Sequence, residues 1–178
     1  MSQLVFHPAH PPLAVRSVEA RIIGFDVTWL RVRWRVLGAG KLIVPAFAGK
    51  GRADGLWQTT CFEAFLKRDG EPGYCEINLS ASERWNVYDF AARREGMAER
   101  ATPREPDCTM RLGTDLAIFD AAIPAAGLPA PPWRCGLAAV IEETGGHKSY
   151  WALAHRADAP DFHDPACFTL AVAAPSGA

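Results

Sequence analysis

VTWLRVRWRVL, at residues 27–37, is the stretch that decides the fold class of this chain. Every second residue lies on one face, which holds Thr28, Leu30, Val32, Trp34 and Val36. The opposite face holds Trp29, Arg31, Arg33 and Arg35. This period of two residues is typical of a half-buried β-strand. The preceding SVEARIIGF (17–25) predicts a second strand, paired with the first as a hairpin through a turn at residues 24–26.

Further strand-like stretches follow, separated by turns that contain glycine or proline. They read LWQTTCFEAFLKR (56–68), YCEINLS (74–80), ERWNVYDFAARR (83–94), TMRLGTDLAIFDAAIP (109–124), RCGLAAVIEE (134–143), GGHKSYWALAH (145–155) and ACFTLAVA (166–173). No amphipathic helix pattern lies between these strand-like stretches. Strands at this spacing predict an all-β fold, a two-sheet antiparallel β-sandwich with less than about a tenth of its residues helical. We expect Trp34, Phe62, Leu66, Ile77, Leu79 and Val140 to be buried.

The composition predicts one compact domain. The chain has 178 residues, 49% of them hydrophobic, which suffices for a core without disulfides or metal ions. Its net charge of −1 argues against a nucleic-acid partner and against an anionic membrane surface. We expect an extended N-terminal arm at 1–14, a single domain at 15–174 and a tail at 175–178. The N-terminal residues lack a secretory pattern, so we expect a cytoplasmic protein.

The chain has five cysteines, and none of them forms a CxxC pair. This pattern is unlike that of a zinc ribbon or a thioredoxin, and we expect the thiols to be buried as small hydrophobic groups. Cys61 and Cys75 fall on strands that could be neighbours. A disulfide between them is the alternative, which a cytosolic location disfavours. The sequence leaves the oligomeric state open.

A row of polar side chains marks one face of the strand at 74–80. Tyr74, Glu76, Asn78 and Ser80 share this face, and the opposite face holds Cys75, Ile77 and Leu79. If the strand at 56–68 pairs with it, Glu63 approaches Glu76 or Asn78. Two carboxylates beside an amide suit the hydroxyl groups of a sugar. The alternative is a solvated outer face, on which the arginines at 31, 33 and 35 neutralise the glutamates.

Two tryptophans lie where rings could project from the rim of a sandwich. Trp57 follows a glycine-rich loop and Trp85 stands at the start of another strand. Flat aromatic faces stack on sugars, and ligand sites combine aromatic walls with a few polar groups. The alternative for each tryptophan is ordinary packing in the core or at the rim.

Other chemistry has weaker support in the sequence. The glycine-rich loop at 48–55 lacks the spacing of a phosphate-binding P-loop, and GxSxG and HExxH motifs do not occur. In AHRADAPDFHD (154–164), the histidines and aspartates predict a turn closed by Asx hydrogen bonds. Calcium binding by Asp161 or Asp164 is the alternative. Glu63 and Glu76 could also act as an acid/base pair on a glycoside.

Together, LWQTTCFEAFLKR, YCEINLSASERWNVYDF and YWALAH…PDFHDPACFTL resemble the bacterial DOMON-like domains, which are grouped with the type 9 carbohydrate-binding modules. The resemblance spans roughly residues 17 to 173. It implies a DOMON-like β-sandwich of jelly-roll or immunoglobulin-like topology that binds sugar or haem. Trp57 and Trp85 resemble the aromatic positions of the family pattern, and its polar strand positions correspond to Glu63, Glu76 and Asn78.

We therefore expect a non-catalytic domain that binds a mono- or oligosaccharide at Trp57, Glu63, Glu76, Asn78 and Trp85. We expect no cofactor. The haem branch of the family uses methionine and histidine as axial ligands, and the internal methionines are Met97 and Met110. Neither has an evident histidine partner in the sequence. A haem-binding redox domain and a glycoside-processing enzyme remain the alternatives.

A spectrum separates the sugar and haem hypotheses. We expect the purified protein to be colourless and to stay so after haem is added, because neither methionine is matched by an evident histidine ligand. Absorption near the Soret region measures this directly. An intense Soret band that persists after gel filtration would reverse the ranking of the two ligands.

Overall fold

The computed structural model describes residues 1–156 and 158–175. Within these ranges the chain forms strands and short 3-10 turns, with no α-helix, so the all-β prediction is confirmed. None of the described residues form a helix long and apolar enough to cross a membrane. The strands are β1 (Ser2–Phe6), β2 (Ser17–Phe25), β3 (Trp29–Leu37), β4 (Gly51–Arg52), β5 (Cys61–Lys67), β6 (Tyr74–Leu79), β7 (Arg84–Phe90), β8 (Ala98–Glu99), β9 (Asp107–Leu112), β10 (Leu116–Pro124), β11 (Trp133–Glu143), β12 (His147–Ala152) and β13 (Leu170–Val172).

The strands form one curled sheet in which β1 joins two halves. One half has the order β4-β7-β6-β5-β11-β12, the other has the order β2-β3-β10-β9, and β8 and β13 pair with β7 and β11. The first residues of β1 pair with β2, whereas Val5 and Phe6 pair with β12. The edges of β2 and β12, which would otherwise present unpaired backbone groups, are thereby hydrogen-bonded to β1.

The prediction of two separate antiparallel sheets is therefore not confirmed in that form. The sheet is continuous through β1, part of the segment expected to be an extended arm. It is also mixed, because β4, in the glycine-rich loop, pairs with β7 in parallel. Alternation along a strand reveals its two faces but not its neighbours, so neither feature was visible in the sequence.

The hydrophobic core lies between the two halves of the sheet. Trp34 of β3 is fully buried and its indole Nε1 donates to the carbonyl oxygen of Ala138 in β11 over 3.1 Å. Phe62 of β5 stacks on Phe119 of β10 with ring centroids 4.3 Å apart. The prediction of which residues are buried is confirmed for Trp34, Phe62, Leu66, Ile77, Leu79 and Val140.

The predicted β2–β3 hairpin is confirmed. Its turn is closed by Asp26, whose Oδ1 accepts from the backbone N–H groups of Thr28 and Trp29, both at 2.8 Å. A bulge interrupts the register between Ile22 and Gly24. Such a bulge increases the local twist of the strand pair.

The arginines of β3 pair with acids on the outer surface of their own half of the sheet. Their ion pairs are Arg31–Asp26 (2.6 Å), Arg33–Asp120 (2.6 Å) and Arg35–Glu19 (3.0 Å). The alternative in which these arginines neutralise Glu63 and Glu76 on a solvated face is therefore wrong. Those two glutamates lie in the other half of the sheet and are buried.

All five cysteines are free, and four of them are buried. Cys61 and Cys75 do lie on neighbouring strands, but they face opposite sides of the sheet. Cys61 belongs to the apolar cluster beside Phe65, whereas Cys75 packs in the central core. A disulfide between them is excluded because their side chains point apart.

Glu143 anchors the segment that precedes β2. Its side chain is fully buried at the end of β11. Oε2 accepts from the backbone N–H of Leu13 (2.7 Å), and Oε1 accepts from those of Ala14 (2.6 Å) and Val15 (3.2 Å). Three charge-assisted hydrogen bonds thus connect this segment to the opposite end of the chain.

We expect Glu143→Gln to lower the free energy of unfolding by about 2–4 kcal/mol. The amide keeps the shape of the side chain, but its nitrogen is a donor facing backbone donors. Urea unfolding measures the loss. The matched control is Glu142→Gln, at a partly exposed neighbour on the other face of β11, which we expect to change stability little. Equal losses in the two variants would contradict the anchoring role.

Candidate functional site

β5 and β6 are buried on both faces, and this places the polar row inside the protein. One face of the pair packs in the core. The other face carries Glu63 opposite Asn78, and Phe65 opposite Glu76. The predicted approach of Glu63 to Asn78 and Glu76 is therefore confirmed, since diagonal neighbours across two strands lie within side-chain reach.

The segment at 158–168 covers this polar face. Phe168 stacks on Phe65 with centroids 5.5 Å apart, and Phe162 and Cys167 are buried beside them. The predicted Asx turn is confirmed within this segment. Asp161 Oδ1 accepts from the backbone N–H of His163 at 3.1 Å. Asp164 Oδ1 accepts in the same way from the backbone N–H of Ala166 at 2.9 Å.

Two arginines connect the covering segment to the loop after β7. Arg93 donates to Asp161 Oδ2 (2.5 and 3.0 Å), and Arg94 donates to Oδ1 of the same carboxylate (3.0 Å). Both oxygens of Asp161 are thus used by guanidinium groups. Among the described residues, no group of three acidic, histidine or cysteine side chains is arranged to hold a metal ion.

A cavity of about 350 Å³ remains between the sheet and its cover. The largest group in its lining is aromatic and consists of Trp57, Tyr88, Phe90, Tyr150 and Phe162. Its ionisable groups are Glu63, Glu76, Arg94 and His163, and the lining is completed by Met97, Val140 and Pro160. An aromatic cavity of this size with few polar groups is typical of a small-molecule site.

Two buried carboxyl groups line the cavity. The exposed fraction is 3% for Glu63 and 5% for Glu76. Glu76 Oε1 accepts from the side-chain amide of Asn78 at 2.7 Å, and its Oε2 lies 3.7 Å from Nε2 of His163. Glu63 has no hydrogen-bond partner within the described ranges. Its carboxyl group is therefore available to a ligand.

Burial disfavours the ionised form of both carboxyl groups. It raises the pKa of Glu63 well above the usual value, and the nearby charge of Glu76 acts in the same direction. Burial also raises the pKa of Glu76, to about 7, although the hydrogen bond from Asn78 and the charge of Arg94 oppose this shift. The pair therefore titrates as a unit and holds a proton at neutral pH.

His163 lies beside the carboxyl pair as a neutral ring. Burial, with the charge of Arg94, lowers its pKa to about 4. Nδ1 lies 2.7 Å from the hydroxyl of Tyr74, which in turn accepts from the backbone N–H of Arg94 at 3.2 Å. With its proton on Nε2, the ring accepts from Tyr74 and directs a donor towards Glu76.

Trp57 forms a partly exposed wall of the cavity, on a loop attached to β7. Asp54 of this loop accepts a hydrogen bond from the hydroxyl of Tyr88 and another, over 3.1 Å, from the side-chain amide of Asn86. Gly55 has a φ of 70°, a conformation that favours glycine. The indole of Trp57 is 42% exposed and accessible to a ligand.

Trp85 lies on the other side of the sheet. It pairs with Leu79, is 3% exposed and packs in the central core, with the Arg52 guanidinium 4.3 Å from its ring centroid. Of the five residues predicted for the site, Trp57, Glu63 and Glu76 line the cavity, Asn78 supports Glu76, and Trp85 is separated from them. Trp85 alternates with Asn86, so the two side chains face opposite ways.

Sequence reasoning missed several residues of the cavity. Tyr88 could have been predicted from the sequence, because it pairs directly with Glu76 across β6 and β7 and lies on the same face. Phe162, His163 and Arg94 come from loops. No periodic pattern connects those loops to the polar face, so their place in the site became apparent only in the folded chain.

The methionines considered as haem ligands lie apart. Met110 is in β9 and packs against the core, whereas Met97 lines the cavity together with His163. Nδ1 of that histidine is engaged by Tyr74 and its Nε2 faces Glu76. The expectation of no cofactor stays a prediction.

No family model and no curated protein matches this chain. Solved structures do match over almost its whole length. A candidate carbohydrate-binding protein from Bacteroides uniformis is 17% identical, with a TM-score of 0.64, over 96% of this chain and 85% of the other. A family 9 carbohydrate-binding module from Caldicellulosiruptor kristjanssonii in complex with glucose is 11% identical, with a TM-score of 0.51, over 98% and 86%.

This chain folds like a family 9 carbohydrate-binding module. A family 9 module from the same organism in complex with cellotriose matches with a TM-score of 0.50 and 12% identity, over 99% of this chain and 84% of the other. The resemblance to the type 9 modules is confirmed at the level of the fold, which is all that such identities show. The DOMON-like assignment stays a prediction.

We expect Glu76→Gln to change how stability depends on pH. The folded pKa of Glu76, about 7, exceeds the ordinary value of 4.5, so its protonated form stabilises the fold at low pH. This contribution is complete below pH 4.5 and is lost as the pH rises to 7. The free energy of unfolding of the parent, minus that of the variant, should fall by about 3 kcal/mol across this window.

Chemical unfolding at several pH values measures this difference. The parent and the variant have to be compared with each other, because His163 is present in both and changes the stability with pH in the opposite direction. Its folded pKa of about 4 lies below 6.5, so its stabilising contribution is lost as the pH falls through this range. Glu19→Gln, which removes a carboxyl group at an outer ion pair with Arg35, serves as the matched control. A flat difference for Glu76→Gln would contradict the buried-pair assignment.

Proposed function

We propose that this protein binds a mono- or oligosaccharide in the cavity above β5, β6 and β7, without chemical turnover. The single observation that carries the proposal is the Glu63 carboxyl, which makes no hydrogen bond within the described residues and faces an aromatic cavity. Such a carboxyl group is poorly solvated, and a ligand that donates hydrogen bonds to it gains free energy. The family 9 modules in complex with glucose and cellotriose, which share this fold, support a small carbohydrate as that ligand.

Each part of the cavity has a role in the proposed complex. The indole face of Trp57 stacks on the C–H face of a sugar ring at the mouth of the cavity. Glu63 and Glu76 accept hydrogen bonds from hydroxyl groups, and the amide of Asn78 holds Glu76 in place. The volume of about 350 Å³ suits one sugar unit inside the cavity, with further units extending past Trp57.

Glycoside hydrolysis is the second candidate, because a carboxyl group with a pKa of about 7 suits general acid catalysis. Glu63 and Glu76 would then act as the two carboxyl groups of a glycosidase. The two functions differ in one measurement. Incubation with aryl glycosides and oligosaccharides yields new reducing ends only if the pair is catalytic.

We expect Trp57→Ala to weaken sugar binding by roughly tenfold to a hundredfold, which corresponds to about 1–3 kcal/mol of lost stacking. Calorimetric titration with a panel of mono- and oligosaccharides measures the affinity. The control is Trp29→Ala. Trp29 belongs to β3, and its ring lies near Arg104 and outside the cavity. An equal loss in both variants would show that Trp57 does not contact the sugar.

We expect Glu63→Gln to lower the affinity by a comparable factor, because the amide, unlike the carboxyl group, cannot ionise to give the sugar hydroxyls a charged acceptor. Affinity in the parent should rise as the pH increases through about 7, where Glu76 ionises and becomes a better acceptor. Glu19→Gln is the matched control and should bind like the parent. The proposal fails if no sugar of a broad panel binds to the parent protein.

A further inference from the structure

The carboxyl pair in the cavity lacks a cationic partner among the described residues. Glu63 makes no hydrogen bond there, and Glu76 is bonded to a neutral amide at 2.7 Å. His163, at 3.7 Å from Glu76, is neutral above a pH of about 4. Neither carboxyl group forms an ion pair with an arginine or a lysine among the described residues.

Arg94 is the cationic side chain that lines the same cavity, and another carboxylate engages it. Its Nε and a terminal nitrogen bind Oδ1 of Asp161 at 3.0 and 2.9 Å. This ion pair belongs to the contact that closes the cover over the sheet. Arg94 therefore acts on both carboxyl groups through its charge at a distance, while its ion pair is with Asp161.

The rest of the lining also suits a cation. Tyr88, Phe90, Tyr150 and Phe162 surround the carboxyl groups, and Trp57 stands at the mouth. Aromatic faces attract an ammonium group through their negative quadrupole, and the attraction is larger where water is excluded. Aromatic walls around two acidic groups therefore favour a protonated amine over a neutral hydroxyl.

We propose that the preferred ligand is a saccharide carrying a protonated primary amine, with its ammonium group placed between Glu63 and Glu76. The inference rests on the proposed function, because it assigns the substrate class of that same cavity. An ammonium group donates up to three hydrogen bonds and supplies the missing positive charge, whereas a hydroxyl donates one and supplies none. An N-acetylated amine supplies no charge either.

The protonation state of the pair agrees with this assignment. Burial raises the pKa of both carboxyl groups, so the empty cavity holds a proton at neutral pH. The bound ammonium favours the ionised pair, and this proton is released to the solvent. The charge of the cavity changes little in the exchange, which limits the cost of burying the cationic ligand.

The test compares 2-amino-2-deoxyhexoses with their neutral counterparts at pH 6.5. Calorimetric titration of the full chain uses glucosamine, galactosamine and mannosamine, the corresponding N-acetyl sugars and the parent hexoses. We expect the tightest aminohexose to bind at least about tenfold more strongly than its two neutral counterparts. Glu63→Gln should bring this ratio close to one, and Glu19→Gln should preserve it.

The outcomes separate this inference from the function on which it rests. If neutral hexoses bind and the aminohexoses bind no more tightly, the amine preference is overturned and the saccharide site stands. If none of these sugars binds, the amine preference is overturned, and the saccharide proposal is decided by the oligosaccharides of the broader panel. A preference that persists in a folded Glu63→Gln protein would also overturn the inference, because the ammonium group would then be recognised elsewhere.

Discussion

The antiparallel register between β5 and β6 is the constraint on which the rest of the structure depends. It places Ala64 opposite Ile77 on the core face, and Glu63 opposite Asn78 on the other. A shift of β5 by one residue would turn Glu63 into the core and Ala64 out of it. Since both faces of the pair are buried, any shift by an odd number of residues buries an acid in the core.

The cover over this face turns a sheet surface into a chemical site. Phe168 stacks on Phe65, and Asp161 connects the covering segment to Arg93 and Arg94. Water is displaced from the carboxyl groups, so their electrostatic interactions become stronger and their ionisation harder. The same burial that perturbs Glu76 makes a hydrogen bond or a charge supplied by a ligand more valuable there.

The topology and the site carry different kinds of information about function. The overall fold is shared with family 9 carbohydrate-binding modules at 11–12% identity, which establishes a common scaffold. Scaffolds of this kind can hold unrelated ligands, so the function has to be argued from the side chains. In this chain those side chains are a carboxyl pair, a neutral histidine and an aromatic lining.

The sequence by itself determined the strands, their faces and the residues that share a face. Alternation placed Trp34 inside, and it placed Glu63, Glu76 and Asn78 together, because a strand repeats every two residues. Only the tertiary structure decided what lies above each face. Trp85 lies in the core, and His163 and Arg94 line the cavity from loops. β1 connects the two halves of the sheet. These outcomes depend on contacts between residues far apart in the chain, which leave no local periodicity to read.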